Sequence, residues 1–390
     1  MKNVFHYVKK YGKNDFRELV FSTSDAFTLC ALVYAHFERV CSDFNEISTV
    51  SELWKRYETA YPEYHKNDDH LAEDLWKACA ESKRFGSVKV GFVRSVRILE
   101  REVQFAAVTF ILDCGNVTVP VSGQGASIVS YSDDPVVNFV AFRGTDETIV
   151  GWKEDLNMTF DDEIPSRTEG AKYLGEVAAK TNGTIMAGGH SKGGNVAIYA
   201  AAKLEEGAQN RILTVYNFDG PGFHQNFLDS DGYMRIMNKC VTFVPETSYF
   251  GLVFNRKEKC FVVKSRAIGI FQHDQNKWLM DGKGLIVTDR ITRQSERARE
   301  TIYTSLVLLT KNDLKNFADT VYEILVADGH TETRDVINAK QLLKIVKRYR
   351  ALDEERKAFV RKVVRTVIEN RRNVRKKHRC PWLFNTRESE

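Results

Sequence analysis

The chain has little of what would build a stapled, membrane-threaded or fibrous protein. Its seven cysteines, Cys30, Cys41, Cys79, Cys114, Cys240, Cys260 and Cys380, are odd in number and scattered, with no C-x-x-C pair. That usage argues against a disulfide frame and a zinc site, and for a reducing compartment. Only 7 prolines occur in 390 residues, and no low-complexity linker or internal repeat interrupts the chain. The longest apolar runs, such as Phe105 to Leu112, fall far below the roughly 18 residues that a membrane-crossing helix needs. The stretch Met1-Lys-Asn-Val-Phe-His-Tyr-Val-Lys-Lys10 has no apolar segment followed by small residues, so it does not read as a secretory signal. A cytoplasmic protein without metal or cofactor is expected.

What remains is an ordinary globular balance, 43% hydrophobic and 28% charged, on a length that allows two or three domains. The net charge of +5 is unevenly held. Thr331 to Glu390 carries 18 Lys or Arg against 8 Asp or Glu, a surplus of 10, so the first 330 residues are net negative by 5.

Residues up to about Lys83 are helical in pattern, with capping oxygens in Phe21-Ser-Thr-Ser-Asp25 ahead of the spaced apolar series Ala26, Leu29, Leu32, Val33 and Phe37. From Val88 the period changes. Runs rich in Val, Ile and Phe (Phe105 to Leu112, Val117 to Val121, Ala126 to Tyr131, Val136 to Phe142) alternate with turns. Helical stretches then alternate with strands at Thr184 to Ala187, Ile212 to Phe218, Val241 to Val244 and Phe261 to Lys264. Such alternation implies crossovers and an α/β fold with a mostly parallel sheet. From about Thr292 to Asn370 the pattern is helical, so a first domain over residues 1–290 and a helical, basic module over 291–390 are expected.

The sharpest local signal is Gly188-Gly-His-Ser-Lys-Gly-Gly194. A strand pattern precedes this G-x-S-x-G and a helix pattern follows, the context in which a serine is presented on a tight strand-to-helix turn. The following helix N-terminus offers N–H groups and positive potential to a developing oxyanion. A glycine-rich turn is common between any strand and helix; the flanking pattern is what singles out Ser191 as a nucleophile.

A serine hydroxyl needs a base, and the base an orienting acid, in the chain order Ser, acid, His. Of the later histidines, His224 lies too close behind the next strand, and His330 and His378 fall in the helical tail. His273, on the polar loop after the last strand pattern, is the best base. Two acids compete at strand ends: Asp219, 28 residues after Ser191, and Glu246. The shorter side chain and the Gly220-Pro221-Gly222 turn favour Asp219, with Glu246 as the alternative. The Lys192 N–H, with the N–H and hydroxyl of Thr145 on the Phe142-Arg-Gly-Thr145 loop, is the expected oxyanion hole.

These residues resemble a known group. Phe142-Arg-Gly-Thr145 followed by Gly189-His-Ser-Lys-Gly-Gly194 looks like the class 3 lipases of the α/β-hydrolase fold. The closer resemblance is to a bacterial lipase-like family, the Mbeg-like group, through Asp25-Ala-Phe-Thr-Leu, Gly151-Trp-Lys-Glu-Asp-Leu-Asn157, Asp219-Gly-Pro-Gly-Phe223, Pro245-Glu-Thr-Ser-Tyr-Phe-Gly251 and Gln272-His-Asp274, over about residues 13–285. The resemblance implies a serine esterase with a small-molecule acyl ester or lipid-like substrate. There are departures. Lys192 replaces an apolar residue and is expected to bring charge to the mouth of the site. Ser248 stands where the lipase acid would be. Trp152 to Arg167, in the lid position, is acidic for a lipid-seeking lid.

The basic run Arg371-Arg-Asn-Val-Arg-Lys-Lys-His-Arg379 is expected to allow reversible contact with an anionic membrane surface. Nucleic-acid binding is not expected, since no recognition motif accompanies the run. The alternative to an esterase is a catalytically silent hydrolase scaffold that acts through this basic helical tail on a membrane surface or a protein partner.

Overall fold

The computed structural model describes residues 3–379 apart from 42–46, 64–70, 99–102, 115–116, 124–125, 133–135, 147, 282–283, 333–335 and 337–338. Cys380 lies outside the described residues. The chain divides into two compact units. The first comprises Met1–Arg97, Phe105–Gly144 and Ser166–Arg290; the second comprises Ile98–Gln104, Thr145–Pro165 and Ile291–Glu390.

The strands are β1 (Ser48–Thr49), β2 (Lys89–Ile98), β3 (Val103–Asp113), β4 (Val117–Gly123), β5 (Ala126–Ser132), β6 (Val136–Phe142), β7 (Thr184–His190), β8 (Ile212–Phe218), β9 (Cys240–Pro245), β10 (Lys259–Val263) and β11 (Val287–Thr288). Nine form one sheet in the order β1-β2-β3-β6-β7-β8-β9-β10-β11, and β4 pairs with β5 alone. The neighbours from β6 to β10 are parallel. The β1–β2, β3–β6, β10–β11 and β4–β5 pairs are antiparallel. The four residues between β2 and β3 are too few for the crossover that parallel neighbours require, which makes that pair antiparallel too.

The expectation of a mostly parallel sheet is therefore corrected. The sheet is mixed, with a parallel centre and antiparallel flanks, and counting the separate β4–β5 ribbon the antiparallel pairings outnumber the parallel ones by five to four. The physical reason lies between Lys89 and Phe142, where five strands follow one another with no helix among the described residues between them, while parallel neighbours need a crossover of about a dozen residues or more.

The parallel centre is apolar on both faces because helices cover it: β7 and β9 are buried throughout. The helix Thr23–Leu32 has every residue buried and is started by a capping box in which the Asp25 carboxylate accepts from the Ser22 N–H at 2.8 Å. Asp25 has a second task. Arg84 donates to both of its oxygens, at 2.6 and 2.7 Å, with both side chains fully buried, while Tyr7 donates to Asp25 at 2.9 Å. Leaving either charge alone in such a core costs about 3–5 kcal/mol, so three helical segments of the lead-in are locked to one another by a single carboxylate.

The second unit is built on the helices Arg293–Leu308, Lys311–Val326, Ala339–Ala351 and Glu354–Arg379, together with Ile149–Asn157. Its small core holds Leu309, Leu314 and Val363, with Phe160, Leu306 and Phe317 packed against them. Phe160 belongs to the stretch expected at the lid position. Within this unit that stretch is part of a packed core, and Lys153 pairs with Asp319 at 2.9 Å. Among the described residues no helix is long and apolar enough to cross a membrane.

Candidate active site

Strand β7 ends at His190, and the helix Lys192–Lys203 starts two residues later. Ser191 bridges them with φ +57° and ψ −132°, a backbone region that side chains rarely occupy and that costs on the order of 1–3 kcal/mol. Its N–H is tied to the Phe218 carbonyl at 2.8 Å. Glycine is obligatory on both sides: a Cβ on Gly189 would strike the Gly193 carbonyl, and one on Gly193 would strike the carbonyl of Phe142. The strained serine therefore stands clear of the sheet at the end of a central strand, as a nucleophile elbow requires.

Two more side chains converge on it from elsewhere in the same unit. The His273 Nε2 lies 3.0 Å from Ser191 Oγ, and its Nδ1 lies 2.6 Å from Asp219 Oδ2. A carboxylate only accepts, so Nδ1 carries the proton, which leaves the Nε2 lone pair toward the serine hydroxyl. Asp219 directly follows β8, is fully buried, and has φ +56°. Its N–H is held by the Phe243 carbonyl at 2.7 Å, and Asn195 fixes the following turn by donating to the carbonyls of Pro221 and Gly222.

Glu246 sits just past β9, where its N–H bonds the Val263 carbonyl; among the described hydrogen bonds none joins its carboxylate to His273. The structure thus brings together Ser191, His273 and Asp219, and leaves Glu246 apart from them.

Three more residues complete the setting: Ser248, read from the sequence only as standing at the place of the lipase acid, and His190 and Tyr34, to which sequence reasoning assigned no role. Ser248, itself buried, donates to Asp219 Oδ1 at 2.5 Å, so both oxygens of the acid are occupied. The His190 ring lies beside that of His273, tilted by 38° with ring centroids 4.6 Å apart, and its Nε2 is 2.8 Å from the His273 carbonyl. A carbonyl cannot donate, so Nε2 bears the proton and Nδ1 accepts from the Tyr34 hydroxyl at 3.2 Å. The only signal in the sequence was the position of His190 inside the motif and of Ser248 in the family-like Pro245–Gly251 segment.

Burial, reinforced by the neighbouring His273, pushes the His190 pKa well below its ordinary 6.5. The imidazole is therefore neutral in the folded chain over a range where the unfolded chain binds a proton. Stability is expected to fall as pH drops through 6.5 and to level off only below the lowered folded value. Denaturant midpoints measured from about pH 7 to about pH 5 check this: His190→Gln should flatten the acid limb relative to wild type, and parallel limbs would refute the assignment.

The two expected oxyanion residues fare differently. Lys192 opens the helix behind the serine, but its side chain is only 1% exposed, so the expected charge at an open mouth is corrected. Thr145 falls in the second unit, where its hydroxyl lies 2.8 Å from each oxygen of Asp155. That proton is committed to a carboxylate, which corrects the expected hydroxyl contribution to the hole. Among the described residues no three His, Cys, Asp or Glu side chains gather as a metal ion would require.

The serine on its strand-to-helix elbow, faced by a histidine and an aspartate, thus sits at the end of a central parallel strand of an α/β fold. The family model described as Mbeg1-like matches residues 79–323, and the chain belongs to that family. Among solved structures it is similar to one described as the crystal structure of M37 lipase, at 16% identity over 53% of this chain and 69% of that one, with a TM-score of 0.31. No curated protein matches it.

Proposed function

We propose that the protein is a carboxylic ester hydrolase of the serine type, working through an acyl-enzyme in a cytoplasmic, reducing setting. The observation that carries the proposal is the continuous relay from Ser191 Oγ through His273 to Asp219, at 3.0 and 2.6 Å. Among the described residues the six cysteines form no disulfide, in keeping with that setting.

In this reading Ser191 attacks the acyl carbonyl while His273 Nε2 takes the hydroxyl proton. His273 then returns it to the departing alkoxide, and the second half repeats the exchange with water. Asp219 holds the Nδ1–H tautomer and stabilises the imidazolium, and Ser248 keeps the carboxylate from rotating. The backbone N–H of Lys192, at the positive end of the following helix, is the oxyanion donor within this unit.

The substrate is an acyl ester or a lipid-like ester, on the strength of the family resemblance. A fluorophosphonate probe tests the reading: covalent labelling that peptide mass spectrometry maps to Ser191 is expected, and a folded protein that never labels would overturn it.

A further inference from the structure

We infer that the helix Ala339–Ala351 is a docking face for anionic lipid bilayers, a property independent of the ester chemistry. Its sequence, Ala-Lys-Gln-Leu-Leu-Lys-Ile-Val-Lys-Arg-Tyr-Arg-Ala, holds five cations and no carboxylate. At 3.6 residues per turn, Leu342, Val346, Arg350, Leu343 and Lys347 share one arc of about 140°. All five are exposed, with Leu342 at 60% and Leu343 at 73%. Two cations off that arc are paired: Lys344 and Arg348 both pair with Asp328, and Arg348 also donates to the Ile324 carbonyl. Those two cations share one carboxylate within the unit, whereas no described residue pairs with Lys347 or Arg350.

An outward face of three bare aliphatic side chains edged by two free cations matches what an in-plane helix presents to a charged membrane. The apolar side chains enter the headgroup boundary and the cations meet the lipid phosphates. A nucleic-acid surface would be served by cations with polar or aromatic side chains, and it gives nothing to Leu342, Leu343 and Val346. The surrounding sequence supplies the matching field: residues 339–379 hold sixteen Lys or Arg against four Asp or Glu. Half of the large apolar side chains exposed among the described residues fall in this second unit, which spans about a third of the chain.

The run Arg371 to Arg379, expected from sequence to make such contact, is less suited to lead it. Lys377 and His378 both pair with Glu300, and its one aliphatic side chain, Val374, is 4% exposed, so this stretch offers cations but no bare apolar side chain.

Co-sedimentation of the full-length protein with vesicles decides the matter, using phosphatidylcholine alone and phosphatidylcholine with about 30% phosphatidylglycerol. Wild type should pellet with the anionic vesicles, release as salt rises past the roughly 8 Å screening length of 0.15 M, and ignore the neutral ones. Leu342→Ser/Leu343→Ser/Val346→Ser should weaken that binding by about tenfold or more, with helical content by circular dichroism unchanged because these side chains are exposed. Lys347→Gln/Arg350→Gln should weaken it and reduce its salt dependence, while Arg371→Gln/Arg372→Gln should change it little. Failure of wild type to pellet overturns the inference. So does an aliphatic variant that pellets like wild type, or binding to a single-stranded oligonucleotide that matches the vesicle binding and survives the aliphatic substitutions.

Discussion

Ser191→Ala is expected to lower kcat on a soluble short-chain ester by about a million-fold while leaving the fold intact. The magnitude follows from the role: Ser191 Oγ is the atom within 3.0 Å of the His273 lone pair, and without it the imidazole has no hydroxyl to activate. What survives is catalysis from binding and the oxyanion donors acting on a water molecule, about 10³-fold over the uncatalysed reaction. Because the members of such a relay act as one unit, His273→Ala should cost about as much, and the double variant little more than either alone. Steady-state kinetics beside thermal melting separate this from unfolding. An alanine variant that turns over ester within about tenfold of wild type would place the chemistry elsewhere in the molecule.

The legible parts of this protein are those whose logic is local. The elbow could be read because strand, glycine, serine, glycine and helix lie within about a dozen residues, and the steric demand at Gly189 and Gly193 is met by backbone only a few positions away or on the neighbouring strand. Chain order gave a route to His273 and to a pair of acids, but not the choice between them, which depends on where two strand ends splay.

The alternation of strand and helix after residue 165, which implies parallel strands, does not extend to the residues before it. The stretch from Lys89 to Phe142 has no helical pattern at all, and that absence was the available sign of antiparallel pairing. Contacts set by tertiary structure left no mark. His190 reaches a carbonyl 83 residues away, Thr145 turns to Asp155, and Lys192 is buried although lysine on a glycine-rich turn reads as solvent-facing. Phe160 reads as a lid residue and is instead packed against a helical core.

The choice between the two acids carries the other large effect. Asp219→Asn should lower kcat by about 10⁴-fold, and Glu246→Gln by no more than about threefold. The substituted amide would fill the same space as the carboxylate, so the loss comes from chemistry. An amide offers N–H as readily as C=O, so His273 loses the acceptor that fixes the proton on Nδ1 and presents the Nε2 lone pair to Ser191. The imidazolium formed in the transition state also loses its counter-charge. Ser248 sharpens the contrast, since its hydroxyl donates to the other oxygen of the carboxylate and so holds the plane in which Oδ2 meets Nδ1. Ser248→Ala should therefore fall between the two variants, by about tenfold, the cost of one hydrogen bond to a charged group. Glu246 has no such hold on His273; its backbone extends the β9–β10 pairing, and its carboxylate is bonded neither to His273 nor to Asp219 in any described contact. If Glu246→Gln were instead the crippled enzyme and Asp219→Asn the active one, His273 would have to swing toward the end of β9 during turnover, and the relay seen here would be a resting arrangement.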